Sequence, residues 1–228
     1  MMIIGHRGAA GLAPENTLEA LEAGYDAGAD MLELDIRLTR DKVLVMVHDA
    51  HTYRTHKKLS IISRRTYAQL LDLTNGDLVR LDEVLDMYFG RVLLNIEIKN
   101  IGTGEALVKL LTNHYIASPE DWQKLIISGF WPLELLKVRK LSKDAQISLI
   151  QAENPFAFIA YQKSLKLTAV GFYWRNTNKL ALDIAKKLDL FTYAYTVNSP
   201  KALAKLESKG IDGVVTDYPD KIYAALNS

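Results

Sequence analysis

The chain has 228 residues and no cysteine. That excludes disulfides, thiolate-bound metals and a cysteine nucleophile, and it leaves the compartment open. Long apolar runs are missing too. Nothing approaches the roughly 20 residues needed to cross a bilayer. The stretch from Met1 to Gly8 carries no basic region followed by an apolar one, so no secretory signal is expected. The expectation is a soluble, cytoplasmic protein without stable membrane insertion. Charge of one sign is also lacking: 28 lysines and arginines stand against 27 aspartates and glutamates, for a formal net charge of +1. No overall field draws such a chain to nucleic acid or an anionic membrane, and nucleic acid is not an expected partner. Any attraction for an anion must be local.

What is present suits a folded α/β protein. Hydrophobic residues make up 49% and charged residues 24%, enough for a substantial core in one large domain or two small ones. The most informative stretch is 31–49, MLELDIRLTRDKVLVMVHD. At period two, Glu33, Asp35, Arg37 and Thr39 share one face of a strand, and Leu32, Leu34, Ile36 and Leu38 share the other. Two carboxylates then lie one strand step apart, roughly 6–7 Å. Thr39 to Lys42 are too few for a parallel crossover, which needs about a dozen residues. An antiparallel hairpin with Val43–Val47 follows. A turn centred on Arg40-Asp41 sets His48 opposite Glu33. The pattern fits a metal site with an acid–base group beside it, or a surface hairpin with its charges in water.

The rest of the chain alternates. Strands are expected to start near Ile3, Met31, Val92, Leu125, Gln146, Ala169, Phe191 and Gly213, each followed by a helix or by the hairpin plus helix. Among the helices, Asn16 or Thr17 can cap the first, and Gly28 can stop it. Another runs from Pro132 to Leu141, and another from Pro155 to Gln162. Strict alternation implies parallel strands with helices outside, and eight repeats predict a (β/α)₈ TIM barrel. The runner-up, an open doubly wound sheet, normally carries GxGxxG or a P-loop after its first strand. Gly5-His6-Arg7-Gly8 is neither. The stretch from Ala50 to Asn75 is less regular and basic in its middle, and is either a phosphate-contacting lip or a solvated loop.

In a barrel the chemistry sits at the carboxyl ends of the strands. There the sequence puts His6 and Arg7, then Glu33 and Asp35 with His48 returning, then Glu97 and Lys99. Later strands end in Phe130, in Trp174 and in Tyr195, an aromatic set that is either a ligand wall or part of the core or rim. Glu33, Asp35 and Glu97, without thiols, favour a hard divalent cation, Mg²⁺ or Ca²⁺. Alternatively they form a salt-bridge cluster with Arg7 and Lys99, a costly arrangement when buried. His6 and His48 suit an acid–base pair, with metal ligation or a core role as the alternatives.

These residues carry a resemblance. Gly5-His6-Arg7-Gly8, Pro14-Glu15-Asn16-Thr17, Glu33-x-Asp35, Thr39-x-Asp41, His48-Asp49, Glu97-x-Lys99 and Thr216-Asp217-Tyr218-Pro219 resemble, in order, the motifs of the glycerophosphodiester phosphodiesterase family. The resemblance implies a single TIM-barrel domain over 1–228, with a small insertion at 50–80 after the His-Asp strand. It implies metal-dependent hydrolysis of small glycerophosphodiesters to glycerol 3-phosphate and an alcohol. Carried over position by position, it implies Glu33, Asp35 and Glu97 as metal ligands and His6 and His48 as the catalytic pair. Arg7 and Lys99 become phosphate contacts. Phe130, Trp174 and Tyr195 are candidates for the substrate pocket from their place at strand ends, not from the motifs. The chain departs from the pattern at Lys42, where a glycine is usual, at Trp131, where an asparagine is common, and at Tyr195, where a tryptophan is usual. Its 51–80 segment is short and keeps only Arg54-Thr55. Two rival readings are a lysophospholipase D, with Phe130, Trp131, Phe172 and Trp174 as an acyl groove, and a non-catalytic binding barrel.

Overall fold

The computed structural model describes residues 1–227. Its strands are β1 (Met2–Gly5), β2 (Met31–Leu38), β3 (Leu44–Met46), β4 (Leu93–Ile98), β5 (Leu125–Gly129), β6 (Ile147–Gln151), β7 (Ala169–Tyr173), β8 (Phe191–Tyr195) and β9 (Gly213–Thr216). All but β3 are parallel to their neighbours, in the order β1-β9-β8-β7-β6-β5-β4-β2, and the pairing of β1 with β2 closes the ring. This is a TIM barrel. β3 lies outside the ring, antiparallel to β2.

Alternation along each strand divides the apolar residues into two bodies. Leu32, Leu34 and Ile36 of β2 and Leu94, Ile96 and Ile98 of β4 point outward into the layer beneath the helices. Each such side chain, fully buried, contributes about 1.5–3 kcal/mol. Ile4, Met31, Ala169, Tyr193 and Val215 pack against one another in a separate cluster, which plugs the barrel interior. Above that plug the inward positions of β2 and β4 turn polar: Glu33 pairs in register with Asn95, and Asp35 with Glu97. The charged centre therefore sits on an apolar floor.

Several helix ends show why these residues fold as they do. Thr17, not Asn16, caps the first helix (Leu18–Asp26) by accepting the Ala20 N–H. The helix stops before Gly28, whose φ of +81° is the left-handed conformation that glycine tolerates. The Pro132–Leu141 helix has the expected bounds, with proline in its first turn. The helix expected from Pro155 to Gln162 runs instead from Ala157 to Leu165. The Asn154 side chain accepts the Phe156 N–H at 2.9 Å, which holds the chain in a turn before the helix can start.

The hairpin differs by one residue from its expected register. β2 and β3 pair Leu38 with Leu44 and Ile36 with Met46, so the continuation sets His48 across from Leu34 rather than Glu33. The cause lies in the turn. Thr39 Oγ accepts the Val43 N–H and donates to Asp41, while Lys42 takes φ +67°, which centres the loop on Asp41. The ladder is also short, and Arg37 Nε holds the His48 carbonyl at 2.8 Å where the chain leaves it. The three-residue β3 gains support from the 50–80 segment: Val45 and Val47 form a small apolar cluster with Ile62, Leu70 and Leu78.

Candidate active site

A cavity of about 360 Å³ opens at the carboxyl end of the barrel. His6, Arg7, Glu33, His48, Glu97 and Lys99 all line it. Phe130, Trp174 and Tyr195 line it too, together with Tyr173 and Tyr193. The Phe130 ring meets Tyr195 edge-on at 6.0 Å, and Tyr195 leans on Tyr173 at 6.1 Å, making one aromatic wall. Phe172, proposed for an apolar groove, is buried in the outer layer and lies edge-on to Phe158, so it cannot line one. The parity of the strand forces this, because Phe172 lies between the inward-facing Gly171 and Tyr173.

Asp35 is the one member of the predicted set that points inward without lining the cavity, because its neighbours cover it. It is 1% exposed, and its oxygens are taken by neighbours. Lys99 Nζ lies 3.0 Å from Oδ1, Asn16 Nδ2 donates to Oδ2 at 2.9 Å, and Arg7 Nε pairs with Oδ2 at 3.2 Å. Lys99 also bonds Glu97. Both cations offered as phosphate contacts are thus engaged with carboxylates. The positive charges of Lys99 and Arg7 hold the Asp35 carboxyl below its ordinary range in spite of its burial.

Glu33 and Glu97 are in the opposite condition. Burial drives both pKa values up, and the charge of Asp35 drives them further. Glu33 Oε2 accepts the Arg7 N–H at 2.7 Å, while Oε1 is buried with no partner. One oxygen from each of Glu33, Asp35 and Glu97 lies within 4.8 Å of the others. Crowded carboxylates, one with an orphaned oxygen, are a donor set suited to a hard divalent cation.

The two histidines are held alike. His6 Nδ1 lies 2.6 Å from Asp217 Oδ1, and Asn198 fixes that aspartate by donating to Oδ2 at 2.5 Å. His48 Nδ1 lies 2.7 Å from Asp49 Oδ1. Each carboxylate fixes one ring nitrogen and leaves Nε2 for other work. Their surroundings push them apart. Burial acts to lower the His6 pKa, but the bond to Asp217 and the charge of Glu33 outweigh it, and the pKa is raised. At His48 burial outweighs the attraction of Asp35 and Asp49, and the pKa is lowered.

The whole-chain comparison fits this arrangement. Residues 6–221 match the model of the glycerophosphoryl diester phosphodiesterase family. The chain belongs to that family. Relatives of similar length include YhdW of Bacillus subtilis (strain 168), 31% identical over 240 residues, a match covering 97% of this chain and 96% of that one. A glycerophosphodiester phosphodiesterase of Caldanaerobacter subterraneus subsp. tengcongensis is 27% identical over 97% of this chain and 96% of its own. Among solved structures, an Oleispira antarctica phosphodiesterase in complex with the product sn-glycerol-3-phosphate superposes with a TM-score of 0.87 at 26% identity, covering 100% of this chain and 97% of that one. This family member is thus a phosphoric diester hydrolase, with a TIM-barrel scaffold shared by its relatives.

Sequence reasoning missed the outer partners of this phosphodiesterase site. Asp217 and Asp49 stand in the family motifs, but the motifs alone give them no role. Their signal was position: each adjoins a strand end and could orient a histidine, the usual need of a working imidazole. Asn16, by sequence one of two candidate helix caps, does not cap the helix. It instead brackets Asp35 from both sides, donating to Oδ2 and accepting the Asp35 N–H at 3.0 Å. Glu15 and Arg54 complete a chain of ion pairs around the mouth.

Proposed function

We propose that this protein hydrolyses small glycerophosphodiesters to sn-glycerol 3-phosphate and an alcohol, with Mg²⁺ or Ca²⁺ held by Glu33, Asp35 and Glu97. The observation that carries this reading is two aspartate-oriented histidines lining one cavity with a crowded carboxylate cluster. A divalent cation there would supply positive charge against the phosphodiester and against the charge developing on its phosphoryl oxygens. Arg7 and Lys99 add to that charge once phosphate competes for them.

The histidines then move the protons. His48, with its lowered pKa, is neutral near neutral pH and takes the proton of the glycerol 2-hydroxyl as that oxygen attacks phosphorus. His6, with its raised pKa, gives a proton to the departing alkoxide as its P–O bond breaks. The product of that step is a cyclic phosphate. In the second step His6, now neutral, deprotonates water, and His48 returns its proton to the 2-oxygen as the ring opens. Phe130, Trp174 and Tyr195 border the glycerol and headgroup. Trp131, 50% exposed just beyond β5, offers apolar surface that an acyl chain could cover, so lysophospholipids are the second substrate class to assay.

The test is release of glycerol 3-phosphate from glycerophosphocholine and glycerophosphoethanolamine, and of choline from lysophosphatidylcholine, with Mg²⁺, Ca²⁺ or chelator. Release that needs a cation supports the reading; no release under any condition overturns it. A substrate analogue without the 2-hydroxyl should resist cleavage. Cleavage at an undiminished rate would exclude the cyclic route.

A further inference from the structure

We propose that Arg54 is a positioning residue that couples the 50–80 segment to the catalytic centre through two carboxylates. This rests on the proposed function only for its kinetic readout. Arg54 Nε donates to Asp49 Oδ2 at 2.7 Å, and the other oxygen of Asp49 holds the His48 ring. Its two terminal nitrogens form a fork on Glu15, each at 2.6 Å. Glu15 in turn accepts from Arg7 at 2.8 Å, and Arg7 pairs with Asp35. One guanidinium therefore links the orienter of His48 to the cation that lies against the carboxylate cluster.

A surface arginine pair is ordinarily worth little, and the Arg54 side chain is 45% exposed. Three features set this one apart. Arg54 spends three nitrogens on two carboxylates, a planar match that lysine cannot make. Both carboxylates are about four-fifths sheltered, at 19% and 20% side-chain exposure. The backbone under Arg54 is also fixed. The short helix Tyr53–His56 is closed by Lys57 in the left-handed conformation, and the strand-like bridge of His51 with Ile61 ties its base. Thr52, fully buried, accepts no freedom either: its N–H is bonded to the Ser60 carbonyl at 3.0 Å. The guanidinium is thus held from both sides, and the segment acts as a brace for His48.

The test compares Arg54→Ala and Arg54→Lys with Asp49→Asn and the double variant Arg54→Ala/Asp49→Asn. The control is Lys58→Ala in the same segment. We expect Arg54→Ala to lower kcat about 10- to 100-fold, the usual cost of removing an outer partner of a site. KM and the calorimetric Mg²⁺ and Ca²⁺ affinities should move less than about threefold. Arg54→Lys should recover only part of the loss, Lys58→Ala should match the parent, and the double variant should be no worse than Asp49→Asn alone. A second readout needs no turnover. Nitrogen-15 spectra of the His48 ring should show Nδ1 protonated in the parent, with that preference lost in Arg54→Ala. If Arg54→Ala keeps both its kcat and its His48 tautomer, or if the two substitutions are additive, the proposal is overturned. A parent that releases no product but whose His48 tautomer still depends on Arg54 would overturn the proposed function and leave the brace standing.

Discussion

Asp217, at the end of the last barrel strand, grips His6, at the end of the first, with 2.6 Å between Oδ1 and Nδ1. The neighbouring strands β9 and β1 bring together residues separated by nearly the whole chain, and the ring closes where a working imidazole needs its orienter. The bond also sets the protonation of the ring. Burial alone would lower the His6 pKa; Asp217 is the largest influence that raises it. A raised pKa keeps His6 protonated beyond 6.5, and a lowered one keeps His48 neutral below it. With His6 as the acid and His48 as the base, as proposed above, the productive pair is His6 charged and His48 neutral, and the kcat/KM profile should be bell-shaped. Asp217→Asn removes the raising influence, so the falling alkaline limb should move to lower pH while the acid limb stays. A pH series of kcat/KM checks it, and an unmoved alkaline limb would take His6 out of the acid role.

The carboxylate cluster makes a second prediction, about stability. Burial and the charge of Asp35 raise Glu33 from 4.5 to about 8, and Glu97 to about 7. For an acid raised in the folded state, the folded chain holds protons that the unfolded chain has released. The cation-free protein should therefore lose stability as pH rises from about 4.5 to about 8. A divalent cation binds the ionised carboxylates and reverses that loss. The rise in Tm on adding Mg²⁺ or Ca²⁺ should be larger at pH 8 than at pH 5.5, and Glu33→Gln should raise the Tm of the cation-free protein while shrinking the gain. Equal gains at both pH values would count against the cluster as the cation site.

Why the sequence revealed the barrel is plain in these residues. Eight β-rich runs alternate with amphipathic helices, and period-two alternation in β2 and β4 survives intact, so Glu33, Asp35 and Glu97 were readable as inward-facing. The register of the hairpin was not. It depends on the Thr39 hydroxyl and on Lys42 accepting a left-handed conformation, a choice that asparagine or glycine would have advertised and lysine does not. Nor were the partners Asp217, Asn198, Glu15 and Arg54 readable as a set. They come from three loops and one short helix, and only closure of the ring brings them to one rim. Phe172 failed for a local reason: an aromatic at a strand end looks like a pocket wall unless its parity is known.

The turn after β1 should tolerate no side chain at Gly8. This residue has φ +85°, and a Cβ there would lie 2.4 Å from the Ala20 carbonyl carbon and 2.5 Å from its oxygen, both backbone atoms of the first helix. Neither the turn nor the helix can yield without moving the other. Gly8→Ala should cost at least about 1 kcal/mol, through strain in both the dihedral and the packing. It should also loosen the preceding Arg7 N–H from Glu33 and so weaken cation binding. Urea unfolding with an unchanged m-value reads the first effect, and calorimetric titration the second. A fully stable Gly8→Ala protein would mean that the first helix can shift to admit it.

Asn16 offers the sharpest separation of charge from packing. It is 5% exposed, and it both donates to Asp35 Oδ2 and accepts the Asp35 N–H. Asn16→Ala strips both bonds from a buried group, a loss of about 1–3 kcal/mol, and should weaken cation affinity about tenfold or more as Asp35 becomes free to turn. Asn16→Asp keeps the shape and the acceptor but replaces the donor with a second carboxylate beside Asp35. If packing alone matters, the aspartate variant should resemble the parent. If Asn16 serves by holding a negative charge, the aspartate variant should be less stable than the alanine one above pH 7 without cation. Adding Mg²⁺ or Ca²⁺ should then return more of its stability, because the cation offsets the added repulsion. Chemical denaturation at pH 5.5 and 8, with and without cation, separates the two. A ranking with Asn16→Asp close to the parent under every condition would show that charge at this position does not govern the cluster.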